Sequence, residues 1–239
     1  MNIQVLTLFP EMVQPYFSSS IMKRAVESGL IRHSVVNVRD FATDKHRSCD
    51  DAPYGGGAGM VMKPEPLAGA LDSVGAKGKR TIFPTPSGRR FNQRYAASLA
   101  DEKDLVFICG HYEGIDQRII DLYVDDEITI GDYVLSSGEV ATLAIIDTVY
   151  RLLSGVISSE SLFEESFVDG FLEYPHYTRP EVFRDLRVPE VLLSGHHERI
   201  RAWRRERGLA KTARVRPDLL ARCTYTCEKG ARNGCVESS

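Results

Sequence analysis

The chain of 239 residues lacks the features that would place it among membrane or secreted proteins. It has no apolar run approaching the roughly 18 residues that a membrane-spanning helix needs, so we expect no membrane partner. The N-terminal stretch MNIQVLTLFPEM has neither a basic region nor a cleavage-site pattern, and we interpret it as a strand rather than a signal peptide. The expected location is therefore cytoplasmic.

Cysteine is scarce, and its spacing carries no pairing pattern. The five cysteines stand at positions 49, 109, 223, 227 and 235 without a CxxC motif, which argues against a disulfide scaffold or a structural zinc site. The last three cluster near the C-terminus, but no histidine follows them. We therefore predict reduced thiols and no metal ligands among these residues.

An overall excess of basic charge is also missing, because the formal net charge is −3. This balance argues against a protein that binds nucleic acid over its whole surface. It hides a local asymmetry between Arg199 and Arg216, where eight cations face one anion, Glu206. Such a segment is typical of a surface that binds phosphates. Taken alone, it would also fit a membrane-surface helix or a helix that binds a partner.

Short apolar segments alternate with amphipathic ones over the first 155 residues. This alternation predicts an α/β fold with a mainly parallel sheet and helices on both faces. The predicted strands are 3–8, 34–38, 81–83, 105–109 and 127–130, and the predicted helices are 11–28, 65–74, 92–100, 116–123 and 139–153.

The composition changes after Gly155, where a polar segment is followed by a mixture of acids, aromatics and prolines. We interpret 1–158 as the first domain, 159–175 as a linker and 176–239 as a small helical C-terminal domain. The last residues, EKGARNGCVESS, have almost nothing to bury, and we expect them to be frayed.

The segment from Arg39 to Lys63 has no clear periodicity and contains four glycines, at 55, 56, 57 and 59. These glycines match neither GxGxxG nor GxxxxGK[ST], so they give little support to a phosphate-binding loop. A long loop in a compact domain is usually functional or disordered. Both a lid over a ligand and a simple turn stay open.

Polar and glycine-rich sequences follow three of the predicted strands at the point where each strand ends. They are PTPSGRR after Phe83, GHYEGIDQR after Cys109 and GDYVLSSGE after Ile130. Ligands of open parallel sheets bind beyond the carboxyl ends of the strands, so the three loops predict one ligand site. Their exposed main-chain groups suit the edge of a purine. With few cations nearby, a neutral or cationic nucleoside fits better than a nucleoside triphosphate.

Four motifs carry a resemblance to a known family: GHYEGIDQR, TIGDYVLSSGE, DDAPYGGGAGM and HYTRPEVF. Together they resemble the bacterial tRNA (guanine-N1)-methyltransferases, which belong to the SPOUT class of RNA methyltransferases. The resemblance runs from LFPEM to about Leu220, and the tail departs from the family's helical ending. It implies a deep trefoil knot in the first domain, S-adenosyl-L-methionine as cofactor, tRNA as partner, and a homodimer with shared active sites. A requirement for Mg²⁺ stays open, with its ligands unknown.

The resemblance also implies a cofactor site built by the same three loops. Main-chain groups would bind the adenine there, and Glu113 would suit the methionine or ribose end. The implied residues are Pro86, Gly110, Tyr112, Glu113, Ile130, Gly131, Asp132, Tyr133, Val134, Leu135 and Gly138. Asp116 and Arg118 are interpreted as a brace at a helix start. Ser137 departs from the family, which usually has two glycines at 137 and 138, and a serine fits that backbone only if its φ is negative.

The reaction that the resemblance implies is methyl transfer to N1 of the guanosine immediately 3′ of the anticodon, position 37. Guanine N1 carries a proton, so the reaction needs a base. Glu165 stands where the family has an aspartate in this role, and Asp169 is the alternative base. Arg151 matches the family's arginine that stabilises negative charge developing at O6.

The basic segment would contact the tRNA backbone through Arg199, Arg204, Arg205 and Arg207, with Ile200 and Trp203 anchoring the helix. Two other functions stay open. One is a SPOUT methyltransferase with another RNA target, and the other is a catalytically silent RNA-binding relative.

Overall fold

The computed structural model describes residues 1–158, 165–167 and 170–220. The chain divides into two compact units, Met1–Ile157 and Ser158–Ser239. Part of the predicted linker (159–164, 168 and 169) and the predicted frayed tail (221–239) lie outside the described residues. Within the described part of the chain, no helix is both long and apolar enough to cross a membrane.

The first unit is built on a five-stranded sheet in which every strand pair is parallel, as the alternating pattern predicts. The strand order is β2-β1-β6-β5-β7, and β3 and β4 form a separate antiparallel pair. The strands are β1 Asn2–Thr7, β2 Arg32–Asn37, β3 Asp50–Asp51, β4 Val61–Met62, β5 Arg80–Arg90, β6 Asp104–Ile108 and β7 Asp126–Thr129. The helices are α1 Pro10–Phe17, α2 Ser20–Glu27, α3 Pro64–Ser73, α4 Gln93–Ala100, α5 Gln117–Tyr123 and α6 Gly138–Tyr150, with a 3₁₀ turn at Val38–Phe41.

Helices cover both faces of the sheet, which confirms the predicted layers. On one face, side chains such as Ile3 and Phe107 form a buried cluster with α1, α2, α4 and α6. On the other, Leu6 and Ile108 cluster with α3 and α5. The central strand β6 is an unbroken apolar run after Asp104 because its side chains are buried on both faces.

The prediction of one helix over 11–28 is wrong, because the structure has two. Helix α1 ends at Phe17, and α2 begins at Ser20, whose φ is +51°. The hydroxyl of Ser19 donates a hydrogen bond of 2.8 Å to the carbonyl of Pro15. Consecutive serines compete with helical hydrogen bonds in this way, and here they separate two segments with one continuous amphipathic pattern.

Strand β5 is longer than the predicted 81–83. Its pairing with β7 shifts register between Pro84 and Arg89, so the PTPSGRR sequence makes an excursion and then rejoins the sheet. Gly88 makes the return possible, because a Cβ at this position would overlap the amide nitrogen of Ile128. Thr85 and Pro86 therefore leave the sheet after Pro84, where the pairing with β7 is interrupted.

The described part of the second unit is dominated by one long helix. Its elements are the antiparallel pair β8 Val182–Phe183 and β9 Leu186–Arg187, the short helix α7 Glu190–Leu193, and α8 His197–Val215. The main-chain N–H of Leu172 donates to the Thr212 hydroxyl at 2.8 Å, and a Cβ on Gly208 would lie 2.7 Å from the Leu172 carbonyl. The segment preceding the hairpin therefore packs closely along α8.

Candidate active site

The three strand-end loops meet in one cleft at the carboxyl edge of the sheet. The cavity has a volume of about 290 Å³ and is lined by 83–86, 110–114, 128–130, 133–138 and Ala141. Of the cofactor residues implied by the resemblance, those lining the cavity are Pro86, Gly110, Tyr112, Glu113, Ile130, Tyr133, Val134, Leu135 and Gly138. Gly131 and Asp132 lie on the same loop but outside this lining.

Main-chain contacts hold the 110–114 and 130–138 loops together. The N–H of Gly138 donates to the carbonyl of Gly110 at 2.8 Å. A Cβ on Gly138 would lie only 2.7 Å from the Gly110 nitrogen, so the two backbones approach more closely than a side chain permits. Ser137 has a φ of −165°, which is extended backbone. A serine adopts this conformation without strain, as the resemblance requires of this position.

Thr129 fixes the start of the 130–138 loop. Its hydroxyl donates to the carbonyl of Gly131 at 2.8 Å and receives the Gly131 N–H at 3.3 Å. The loop thus leaves β7 in a defined direction, and Tyr133, Val134 and Leu135 reach the cleft with large exposed fractions. The loop presents both main-chain groups and apolar surface to a ligand.

A buried carboxylate lies beneath the loops, and the sequence analysis missed it. Glu139, in the first turn of α6, is 1% exposed and accepts a 2.6 Å hydrogen bond from the Thr7 hydroxyl. Its Oε2 has no hydrogen-bond partner among the described residues. The same hydroxyl of Thr7 receives the Phe9 N–H at 2.9 Å. Glu139 therefore links the end of β1 to the helix that follows the 130–138 loop, at a helix N-terminus where a negative charge is favoured.

Cys109 lies next to this link and is fully buried. Its thiol donates to the Thr142 hydroxyl at 3.3 Å. Burial, and then the Glu139 carboxylate, raises the pKa of the Cys109 thiol far above its usual value. This cysteine is therefore an inert core residue rather than a nucleophile.

The 110–116 loop carries the most polar part of the cleft. Tyr112 adopts a φ of +57°, a left-handed conformation rare for a bulky side chain and often found at functional sites. The His111 ring lies 5.1 Å from Phe9 and 4.6 Å from Tyr112, and its buried Nδ1 has no partner among the described residues. His111 was not among the predicted site residues, although it stands inside the GHYEG motif.

The predicted brace at the start of α5 is present. Asp116 accepts the Arg118 N–H at 2.9 Å, and the guanidinium binds its carboxylate through two further hydrogen bonds of 2.8 and 2.7 Å. The hydrogen bond to Arg118 holds the pKa of Asp116 below its usual value. The pair caps the helix.

The glycine-rich segment contacts the cleft loop through its main chain. The Glu113 N–H donates to the Met60 carbonyl at 3.0 Å, and the Met62 N–H donates to the Gly114 carbonyl at 2.9 Å. The Glu113 side chain packs against Gly59. Tyr54, at the tip of the β3–β4 pair, is fully exposed. The base of this hairpin is therefore anchored beside the cleft rather than forming an isolated turn.

Comparison of the whole chain decides its family. Residues 1–222 match the profile of the family described as tRNA (Guanine-1)-methyltransferase TrmD. The chain belongs to this family. The tRNA (guanine-N(1)-)-methyltransferase of Treponema denticola is 62% identical over 220 residues, which cover 92% of this chain and 90% of that protein. The proteins of the same name from Treponema pallidum and Borrelia duttonii are 63% identical over 221 residues (92% and 88%) and 56% identical over 235 residues (98% and 97%). The family predicted from the four motifs is confirmed.

The two residues predicted to act in catalysis belong to different units of this TrmD-family chain. Arg151 follows the last residue of α6 and forms its C-cap, half-buried. Glu165 lies in the second unit and is also half-buried, and Asp169 lies outside the described residues. Among the described residues, no group of three His, Cys, Asp or Glu side chains could hold a metal ion.

The basic residues of α8 divide into two kinds. Arg199, Arg205 and Arg207 are exposed, whereas Arg204 is half-buried with its guanidinium 4.6 Å from the centre of the Tyr174 ring. Arg204 therefore contributes to packing inside the second unit of the TrmD-family chain. The other three present their charges to solvent.

Proposed function

We propose that this chain transfers a methyl group from S-adenosyl-L-methionine to N1 of guanosine 37 in tRNA, immediately 3′ of the anticodon. The observation that carries the proposal is the family match over residues 1–222, with relatives of that name at 56–63% identity over nine-tenths or more of the chain. The cleft supplies a place for the cofactor, and the basic helix supplies a surface for the RNA.

The chemistry of the cleft suits this cofactor. Main-chain N–H and C=O groups of the 110–114 and 130–138 loops can bind the polar edge of adenine, while Leu135 and Ile130 offer apolar contact to its ring. The carboxylate of Glu113 can bind the cofactor's ribose hydroxyls or amino group. The cavity volume of about 290 Å³ is near the lower end of the range for small-molecule sites.

The proposed mechanism assigns one task to each of two side chains. When bound, S-adenosyl-L-methionine supplies an electrophilic methyl group. Glu165 accepts the proton of guanine N1, so that the ring nitrogen can form the new bond. The guanidinium of Arg151 stabilises the negative charge that develops at O6 as this proton leaves. The general base and the electrostatic stabiliser come from different units of the chain.

We also propose the architecture that the family implies. The first domain, 1–158, carries a deep trefoil knot, 159–175 is a linker that carries the base, and 176–239 is a tRNA-binding domain. The enzyme acts as a cytoplasmic homodimer with shared active sites. Support comes from the cleft rim, where Tyr112, Tyr133 and Val134 are 42%, 55% and 81% exposed in the single chain. Apolar surface of this kind is typical of an interface.

The test is transfer of labelled methyl groups to unmodified tRNA, followed by identification of the modified nucleoside. We expect label in 1-methylguanosine. Label in another nucleoside would assign the chain to a SPOUT methyltransferase with a different target, and tRNA binding without transfer would assign it to a silent relative. The same assay with EDTA in place of Mg²⁺ decides whether the metal ion is required.

A further inference from the structure

The second unit carries a cluster of aromatic side chains beside its long helix. Trp203 on α8, the only tryptophan of the chain, lies 6.3 Å from Tyr177, with the two rings inclined at 55°. Tyr174 and His176 form a second pair at 4.8 Å. All four rings come from the 174–177 segment and one turn of α8, so they share a small surface.

Two arginines lie against this cluster. The Arg207 guanidinium is 5.7 Å from the centre of the Trp203 ring, and Arg204 is 4.6 Å from Tyr174. Cations at this distance are attracted to the faces of aromatic rings. Arg207 is exposed, so its charge stays available to a ligand while its guanidinium lies over the indole.

Trp203 is half-buried, whereas Tyr177 is exposed. Gly208 and Thr212 are buried on α8, and they hold the preceding segment through Leu172. Tyr177 is 49% exposed and is not part of this contact, which runs through Leu172. A large ring that is half exposed to solvent, next to a second ring and an exposed arginine, is typical of a surface that binds a ligand.

The charge around the cluster selects the class of ligand. The exposed side chains of α8 include the cations Arg199, Arg201, Arg205, Arg207, Lys211 and Arg214. Proteins that bind single-stranded nucleic acid combine such a basic surface with aromatic rings on which bases stack. An acidic peptide would bind the cationic side chains, but it would leave the exposed aromatic rings without a stacking partner. A membrane-surface helix needs a broad apolar face, whereas α8 buries only Gly208 and Thr212.

We propose that Tyr177 and Trp203 form a stacking site for an unpaired nucleobase of the anticodon loop. The exposed arginines beside the rings, Arg205 and Arg207, bind the phosphates next to that base. This inference rests on the proposed function only in taking tRNA as the RNA that binds. It adds a base-binding role to a surface whose predicted role was contact with the tRNA backbone.

The test uses the emission of Trp203 in the full chain, since no other tryptophan contributes. An RNA hairpin with the anticodon stem and loop is compared with a fully paired RNA of equal length, and binding of each is measured separately by filter retention. We expect the hairpin to quench Trp203 emission with the same midpoint as filter binding, and the duplex to bind without quenching. Saturated hairpin binding with unchanged emission would overturn the proposal.

Variants at position 177 separate stacking from general effects. Tyr177→Leu should weaken hairpin binding about tenfold and leave duplex binding unchanged, in line with the usual contribution of one stacked base, while Tyr177→Phe should retain wild-type affinity. Phe183→Leu, at another exposed aromatic residue of the same unit, is the matched control and should have no effect. All variants should melt cooperatively at the same temperature as the wild type measured beside them.

Three outcomes would contradict the proposal. One is an equal loss of hairpin and duplex binding in Tyr177→Leu, and another is an equal loss of hairpin binding in Phe183→Leu. The third is a shift of Trp203 emission with phosphatidylserine vesicles but not with RNA. None of these depends on methyl transfer, so failure of the proposed reaction and failure of the stacking site are distinguishable.

Discussion

At the scale of single residues, position 165 carries a glutamate where the resemblance implies an aspartate. Glu165 has the same functional group as the expected aspartate, with one more methylene. Catalytic geometry is strict, and a misplacement of about 1 Å can reduce a rate on the order of a hundredfold. The backbone that carries Glu165 must therefore compensate for the longer side chain if this residue is the base.

The prediction for this position is a ranking of three variants in single-turnover methyl transfer. Glu165→Gln should lose about 10²-fold or more in rate, because the amide cannot accept the N1 proton. Glu165→Asp should keep substantial activity, since it retains a carboxylate and places there the residue that the resemblance implies, and Asp169→Asn should stay active. An inactive Asp169→Asn beside an active Glu165→Gln would move the role of base to Asp169.

At the scale of elements, the cleft depends on the contact between two loops. Gly138 lies very close to the backbone of Gly110. A Cβ at position 138 would be only 2.7 Å from the Gly110 nitrogen. Gly110 differs, because its own Cβ would lie 2.7 Å from the buried Phe83 ring. Gly110→Val would therefore disturb the core as well as the loop. A loss of cofactor binding in this variant could not be assigned to the loop alone.

The prediction at this scale concerns Gly138→Ala. The added methyl should force the two loops apart, lowering the free energy of unfolding by about 1–3 kcal/mol and weakening the binding of S-adenosylhomocysteine in calorimetry. Ser137→Gly is the matched control. Its backbone is already extended, so the change should leave cofactor binding unaltered. Equal affinity in Gly138→Ala and wild type would show that the loop contact does not shape the site.

A second prediction at this scale concerns the arginines of α8. It is tested by the salt dependence of tRNA binding. Arg205 is exposed, so Arg205→Ala should reduce the slope of log affinity against log salt by roughly one, with the fold unchanged. Arg204 lies over Tyr174, so Arg204→Ala should instead lower the melting temperature of the protein. A salt slope unchanged by Arg205→Ala would exclude a phosphate contact at that residue.

At the scale of the whole molecule, local patterns in the sequence predicted the layers but not the long-range contacts. The unbroken apolar run of β6 indicated a central buried strand, and the polar loops after β5, β6 and β7 indicated the cleft. The link between Thr7 and Glu139 spans 132 residues, and no periodicity relates them. A single glutamate at the start of an apolar helix was the only available signal.

Main-chain geometry accounts for the other differences. The contacts of Gly138 with Gly110, and of Gly88 with β7, are made by backbone atoms, which carry no distinctive residue pattern beyond the glycine itself. Residues 11–28 form two helices because the Ser19 hydroxyl donates a hydrogen bond to the Pro15 carbonyl. The amphipathic pattern of the segment does not indicate this hydrogen bond. The hypotheses about the cofactor, the knot and the roles of Arg151 and Glu165 come from the resemblance and not from periodicity.

The central claim is methylation of one atom at one position, and the most direct measurement is transfer to two tRNA transcripts that differ only at residue 37. With labelled S-adenosyl-L-methionine, the transcript with guanosine at 37 should accept about one methyl group per molecule, recovered as 1-methylguanosine. The transcript with adenosine at 37 should accept none. Equal labelling of both transcripts, or labelling of neither, would contradict the account.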